Sequence, residues 1–188
     1  TMTEAIFFDL DGTLLPMDND TFINGYLNLL CETVAQHGYA KETMIPAMWK
    51  GVAAMVKNDG SRKNSEVFWE TFAALLGKQV YDHIKYFDEF YSKEFNKAIE
   101  FTNPTKFARE AVKVAHEKTH HVVLATNPWF PEVAVKTRLN WIGLTDDDFE
   151  LVTTYNNFNT CKPNPAYFTE IANRIGVNPE NCVMIGNN

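Results

Sequence analysis

The apolar residues near the start of the chain form a short continuous run at positions 6–8 rather than a helical stripe. Such a run of strand-forming residues is typical of a strand buried on both faces of a parallel sheet. Similar runs recur at positions 121–125, 151–153 and 183–185. Because these later runs alternate with stretches of helical periodicity from residue 104 onward, the pattern predicts a doubly wound parallel α/β sheet.

Helix-start and helix-stop signals lie between these predicted strands. Asn103-Pro104 predicts the start of a helix that runs to about residue 118, and Pro131-Glu132 predicts one that ends at Gly143. Asn164-Pro165 predicts a third helix, which Gly176 ends. The order of strands and helices therefore indicates a Rossmann-like core.

The segment between the first strand and this region has a different pattern. Residues 16–20 predict a turn, and from about residue 21 to 97 the apolar positions have helical spacing with no convincing strand. We predict helices at 22–34, 44–56, 67–76 and 81–95, arranged as a small four-helix bundle. The many aromatic residues of these helices either form a core or line a ligand pocket, and the core is the favoured interpretation. The predicted domains are a core of residues 1–16 and 101–188 and an all-helical insertion of residues 17–100.

Composition narrows the choice of partner. The 188 residues contain 17 Lys and Arg against 24 Asp and Glu, a net charge of -7 with no basic block, which argues against nucleic acid and anionic membranes as partners. The three cysteines have no CxxC spacing, and the sequence shows neither a leader nor a long apolar run. We therefore expect a cytoplasmic protein without a membrane segment. A phosphorylated small molecule remains compatible, because a metal and one lysine can reverse the local field.

Candidate chemistry is concentrated where the predicted strands end. Asp9 and Asp11 follow the first strand two residues apart, so both carboxylates can face one ligand, and Gly12 allows a sharp turn. Two such charges need a cation between them, or one of them must be protonated. The Thr126 hydroxyl and the Asn127 N–H follow the second strand, and Lys162 precedes the helix that Asn164 opens. Together these groups can hold an anion beside the two carboxylates.

These motifs carry a family resemblance. Asp9-x-Asp11-Gly12-Thr13, Thr126-Asn127, Lys162-Pro163 and the strand that ends in Gly186-Asn187 occur in the order found in the haloacid dehalogenase superfamily. The chain resembles the phosphatase-like members with a helical cap inserted after the first strand. The dehalogenases of that superfamily typically lack an acid at the position of Asp11, so the resemblance favours phosphoryl chemistry.

The resemblance implies a role for each matching residue. Asp9 would be the nucleophile that forms an aspartyl-phosphate, and Asp11 the general acid and base. Thr126 and Lys162 would hold the phosphoryl oxygens, with Asn127 and Thr13 as further substrate contacts. Mg²⁺ would be the cofactor, with Asp9, Asp11 and Asn188 as its ligands. Arg62, Lys63 and Trp69 are candidate substrate contacts from the cap.

The sequence departs from the family pattern at residue 188, where Asn188 stands in place of the usual Asp. An asparagine can ligate Mg²⁺ through its carbonyl oxygen but adds no charge, so we expect weaker metal binding. A family fold that stopped here would leave a bare sheet edge, which predicts a shortened chain. The expected function is a Mg²⁺-dependent phosphatase of a small phosphorylated metabolite. The alternatives are a phosphomutase, or a catalytically weak member that binds a phosphorylated ligand or a protein partner.

Overall fold

The computed structural model describes residues 2–186 and contains one sheet of four parallel strands. The strands are β1 (Ala5–Phe8), β2 (His121–Leu124), β3 (Leu151–Val152) and β4 (Cys182–Ile185), in the order β3-β2-β1-β4. Each strand lies within a residue or two of its predicted position. The predicted α/β class with a parallel, Rossmann-like sheet is confirmed.

The central position of β1 determines where the chemistry can occur. β1 pairs with β2 on one side and with β4 on the other. Its Phe7 and Phe8 are buried on opposite faces of the sheet, in separate apolar clusters. The strand therefore delivers Asp9 to the middle of the sheet edge, between the ends of β2 and β4, where ligands of open α/β sheets bind.

Residues 19–92 form four α-helices and contain no strand, as predicted for this part of the chain. The helices are α1 (Asn19–Val34), α2 (Lys41–Val56), α3 (Asn64–Leu76) and α4 (Val80–Ser92). The Asp18 carboxylate caps α1 by accepting a hydrogen bond from the Thr21 amide at 2.9 Å. The predicted continuous helix over 81–95 is wrong. The backbone leaves helical geometry at Lys93, and a separate 3₁₀ helix (Glu94–Phe101) follows, which allows Phe95 to become fully buried.

The remaining helices are α5 (Phe107–Lys118), α6 (Glu132–Trp141) and α7 (Pro165–Ile175). α7 follows the prediction closely, since Asn164 caps its start and Gly176 ends it in a left-handed conformation. The predicted start of α5 at Asn103-Pro104 is wrong. The Asn103 amide instead donates to the Pro16 carbonyl at 2.7 Å, and this link between distant parts of the chain delays the helix to Phe107.

The aromatic residues of the helical segment form the largest apolar cluster, which confirms their predicted place in a core. Residues from outside the segment, including Ala134, Tyr155 and Cys161, complete this cluster. Two further clusters lie on the two faces of the sheet. Within residues 2–186, no helix combines the length and apolar character needed to cross a bilayer.

Candidate functional site

Asp9 lies directly after β1 and is 6% exposed. Its amide donates to the Ile185 carbonyl at 2.9 Å, which continues the pairing with β4. Its Oδ1 accepts a hydrogen bond from the Leu10 amide at 2.9 Å, which fixes the orientation of the carboxylate. Burial raises the pKa of the Asp9 carboxyl above its ordinary value, while Lys162 and the Leu10 amide act in the opposite direction.

Lys162 is the cation that faces Asp9. Its Nζ lies 3.3 Å from Asp9 Oδ1, and both side chains are about nine-tenths buried. Burial lowers the pKa of the Lys162 ammonium, and the neighbouring Asp9 acts in the opposite direction. The Lys162 amide donates to Asn127 Oδ1 at 3.2 Å, so the Asn127 side chain ties the lysine loop to the end of β2. The loop that carries Lys162 is thus held at the end of β2, and its ammonium group lies beside the Asp9 carboxylate at the end of β1.

Thr126 is held by a buried hydrogen-bond network behind the site. Its carbonyl accepts hydrogen bonds from the Thr153 hydroxyl and, at 2.9 Å, from the Tyr167 hydroxyl. These two hydroxyls also lie 3.0 Å from one another, and both residues are fully buried. Thr153 directly follows β3 and Tyr167 lies on α7, so two distant parts of the chain fix the backbone of Thr126.

Asp11 has a partner that the sequence did not indicate. Gly12 turns the chain with a φ of 81°, and Asp11 Oδ2 accepts a hydrogen bond from Nη1 of Arg138 on α6. Arg138 has no exposed surface, stacks on the Phe130 ring at 4.2 Å and donates from Nε to the Ala134 carbonyl at 3.1 Å. Asp11 Oδ1 is buried and has no hydrogen-bond partner within residues 2–186. Arg138 therefore fixes one oxygen of Asp11 and leaves the other available.

A cavity of about 270 Å³ separates these groups from the helical segment. One end is formed by Asp9, Asp11, Thr126, Asn127 and Lys162. Ten aromatic side chains make up much of the remaining wall: Phe22, Tyr26, Trp49, Phe68, Trp69, Phe87, Tyr91, Trp129, Phe130 and Tyr155. Several of these rings thus belong both to the core and to a pocket, although the two roles looked like alternatives in the sequence.

The structure brings together five of the predicted site residues, namely the five that form the polar end of the cavity. Thr13 lies in the turn after Asp11 outside the cavity lining, and its hydroxyl is buried with no partner in the described part of the chain. Its contact with substrate stays a prediction. The predicted metal ligand Asn188 and its neighbour Asn187 lie outside the described residues.

Of the three candidate contacts from the helical segment, only Trp69 lines the cavity. Arg62 pairs with Glu70 on the surface, and Lys63 is not part of the lining. Sequence reasoning also missed Arg138, Thr153 and Tyr167. For Arg138 a weak signal existed, because positions 134, 135, 138 and 139 form one face of a helix on which the other three residues are apolar.

The site has suitable donors for Mg²⁺. Asp9 and Asp11 both face the cavity, and the unpartnered Oδ1 of Asp11 is a carboxylate oxygen. Mg²⁺ takes oxygen ligands and needs only one or two carboxylates beside water and phosphate oxygens. Among the described residues there is no group of three or more His, Cys, Asp or Glu side chains that could hold a metal. Within the described part of the chain, the Asp9 and Asp11 carboxylates thus offer oxygen donors of the kind that Mg²⁺ takes.

Comparisons with known proteins agree with the fold. A family model of haloacid dehalogenase-like hydrolases matches residues 3–188. The Pyrophosphatase PpaX of Halalkalibacterium halodurans is 24% identical over 184 residues, which are 98% of this chain and 74% of that protein.

Two solved structures share the fold. A HAD family enzyme of Bacteroides thetaiotaomicron, in complex with magnesium and inorganic phosphate, is 17% identical with a TM-score of 0.54, and the match covers 96% of this chain and 83% of that one. The L-2-haloacid dehalogenase of Xanthobacter autotrophicus is 14% identical with a TM-score of 0.55, and the match covers 97% of this chain and 69% of that one. Because a magnesium and phosphate complex and a dehalogenase share the fold, the fold alone does not select the reaction.

Proposed function

The chain belongs to the haloacid dehalogenase-like hydrolases, and we propose that it is a Mg²⁺-dependent phosphatase that hydrolyses a small phosphorylated metabolite through an aspartyl-phosphate. The observation that carries this proposal is the polar end of the cavity. There Lys162 Nζ lies 3.3 Å from Asp9 Oδ1, and Asp11 and Thr126 line the same space. A carboxylate nucleophile, an anion-holding ammonium and a second acid are the groups that phosphoryl transfer through a covalent intermediate requires.

The first step forms a bond between a carboxylate oxygen of Asp9 and phosphorus while the ester P–O bond breaks. Lys162 and the Thr126 hydroxyl hold the phosphoryl oxygens and neutralise part of their charge. Protonated Asp11 gives its proton to the leaving alcohol oxygen. Because Arg138 occupies Oδ2, we assign this proton to Oδ1, which has no other partner in the described chain.

The second step releases phosphate. Asp11, now a carboxylate, takes a proton from a water molecule whose oxygen attacks phosphorus, and the bond to Asp9 breaks. This returns both carboxyl groups to their starting state. When bound at the Asp9 carboxylate, Mg²⁺ would supply further charge neutralisation for the phosphoryl group, since Oδ1 of Asp11 carries the transferred proton. Asn127 would add a backbone N–H to the oxygens already held by Lys162.

The helical segment of residues 17–100 is proposed to be a cap over this chemistry. Seven of its aromatic side chains line the cavity that Asp9 also lines. A wall of this kind excludes water from the reacting groups and contacts the substrate away from phosphorus. The cap would therefore decide which phosphate ester is accepted.

The test is phosphate release from a generic phosphomonoester, with and without Mg²⁺, by this chain and by Asp9→Asn. The proposal expects Mg²⁺-dependent release that Asp9→Asn abolishes. Asp20→Asn is the matched control, since Asp20 is exposed in the first turn of α1. Release that persists in Asp9→Asn, or no release from folded protein, contradicts the proposal.

A further inference from the structure

The wall of the cavity indicates which ester the site accepts. We propose that the substrate is a phosphate monoester of an aromatic alcohol, with the ring seated among the aromatic side chains; this rests on the proposed phosphatase function. Tyr26 and Phe87 are almost fully buried yet line the cavity together with Trp69 and Phe130. The same cavity contains Asp9, so a ring held there can remain attached to a phosphate at the nucleophile.

The charge of the lining excludes a second phosphate. Within the described part of the chain, Lys162 is the one cationic side chain in the wall, and it already faces Asp9. Arg62 is held on the surface by Glu70. A diphosphate or bisphosphate would place its second charged group against apolar rings without a counter-charge, which is unfavourable. The wall therefore fits a neutral leaving group.

Four polar groups of the aromatic wall are already paired with one another, whereas Trp129 Nε1 is buried without a hydrogen-bond partner in the described part of the chain. The hydroxyls of Tyr26 and Tyr91 lie 2.7 Å apart, and Trp69 Nε1 donates to the Tyr155 hydroxyl at 3.0 Å. A sugar would lose the water around its hydroxyls in this cavity and find these four partners occupied. An aromatic ring loses little by the same transfer and gains contact with other rings.

The volume of the aromatic cavity limits the size of the substrate ring system that it can hold. An apolar cavity of about 150 Å³ is sufficient to hold benzene. The cavity here, at about 270 Å³, has room for one substituted ring and the attached phosphate. The aromatic cavity therefore fits a mononuclear aryl or arylmethyl phosphate. A second cavity of about 480 Å³ also touches Asp9 and Lys162, but only two aromatic side chains of the described residues, Trp129 and Phe168, line it.

The first experiment compares kcat/KM, in the presence of Mg²⁺, for phenyl phosphate and benzyl phosphate with the values for glycerol 3-phosphate and pyrophosphate. Burial of one ring predicts a preference of about tenfold to a hundredfold for the aromatic esters. If glycerol 3-phosphate or pyrophosphate is hydrolysed equally fast or faster, the proposed aromatic substrate class is refuted, whereas the proposed phosphatase activity is not.

A binding measurement tests the aromatic substrate class independently of the proposed catalytic activity. Three of the four tryptophans, Trp49, Trp69 and Trp129, line the cavity, so ligand binding is expected to change the intrinsic fluorescence. Benzylphosphonate, which has no ester bond to break, should bind at least about tenfold more tightly than methylphosphonate. Tight benzylphosphonate binding without turnover of any ester refutes the phosphatase but supports the aromatic site. Equal binding of the two phosphonates refutes the aromatic site.

A variant that fills part of the cavity tests whether the aromatic ring of the substrate binds there. Val52 on α2 is half-buried in the wall, and Val52→Phe should lower the ratio of kcat/KM for benzyl phosphate to that for glycerol 3-phosphate by about tenfold. Val114→Phe, at an exposed position on α5 outside the lining, is the control and should leave the ratio unchanged. If Val52→Phe does not fold, Ile23→Phe on α1 makes the same test. An unchanged ratio in the folded cavity variant overturns the proposal.

Discussion

Replacing Arg138 with methionine removes the charged partner of Asp11 while keeping much of the side-chain volume. The arginine has no exposed surface, and it makes an ion pair with Asp11, a hydrogen bond to Ala134 and a stacking contact with Phe130. Removing one partner of a buried pair leaves the other charge uncompensated and costs about 3–5 kcal/mol. The Asp11 side chain is 25% exposed, so we expect the lower end, about 3 kcal/mol of unfolding free energy.

The assay is urea unfolding at pH 7, followed by far-UV circular dichroism, for Arg138→Met, Asp11→Asn and the double variant. Because the two side chains act on each other, the double variant should lose less stability than the sum of the single losses, by about 2 kcal/mol. Arg174→Met is the matched control. Arg174 also stacks on a phenylalanine, Phe158 at 4.3 Å, and pairs with a carboxylate, but it is exposed, so its loss should cost about 1 kcal/mol or less.

The same variant tests the role of Arg138 as a positioning residue. If Arg138 fixes the orientation of Asp11, Arg138→Met should lower kcat with little change in KM, because Asp11 acts in the transition state. Stability losses that add within about 0.5 kcal/mol would refute the coupling of the pair. A kcat equal to that of the unmodified chain would refute the positioning role.

Three further predictions concern the helical segment and the buried thiol. Gly51→Ala places a Cβ 2.5 Å from the Phe68 ring, so thermal unfolding should show a loss of about 1–3 kcal/mol, and an unchanged Tm would refute this packing. Burial raises the pKa of Tyr26 to about 12, so the folded state holds this proton more tightly and loses stability as the pH rises from 10 to 12. Tyr26→Phe should make that loss shallower in unfolding curves across this range, and an equal slope would contradict it. Burial also raises the pKa of Cys161 to about 12, so a thiol reagent at pH 8 should modify the half-buried Cys182 first, as peptide mass spectrometry would show; early labelling of Cys161 would contradict its burial.

The sheet could be predicted because its strands depend on local signals. The runs at 6–8 and 122–125 are continuous and apolar, and their shortness beside turn residues favours a strand buried on both faces. Helix α7 was equally predictable, since the Asn164 cap, Pro165 and Gly176 act within the helix itself. These elements need no information from distant parts of the chain.

The errors arose where a distant contact overrides a local signal. Asn103-Pro104 has the composition of a helix start, yet the Asn103 amide bonds to Pro16. The helix predicted over 81–95 breaks at Lys93, after which Phe95 packs against Tyr26. No local pattern in the sequence reports either contact.

The polar end of the candidate site was predictable because parallel strands bring their carboxyl ends to one edge. Its supporting residues were not. A buried arginine is unusual, and only the placement of α6 beside the β1 turn makes Arg138 a partner of Asp11. The aromatic wall of the cavity could not be predicted either, because helical spacing of aromatic residues does not distinguish a filled core from a core that encloses a pocket.

The central claim is that Asp9 carries the phosphoryl group during turnover. Acid quenching of the enzyme during hydrolysis of a phosphomonoester in Mg²⁺, followed by peptide mass spectrometry, tests it most directly. The account predicts one added phosphoryl group on the peptide that contains Asp9, absent in Asp9→Asn and present in Asp20→Asn. Turnover without this adduct at any quench time, or an adduct on another residue, would contradict the account.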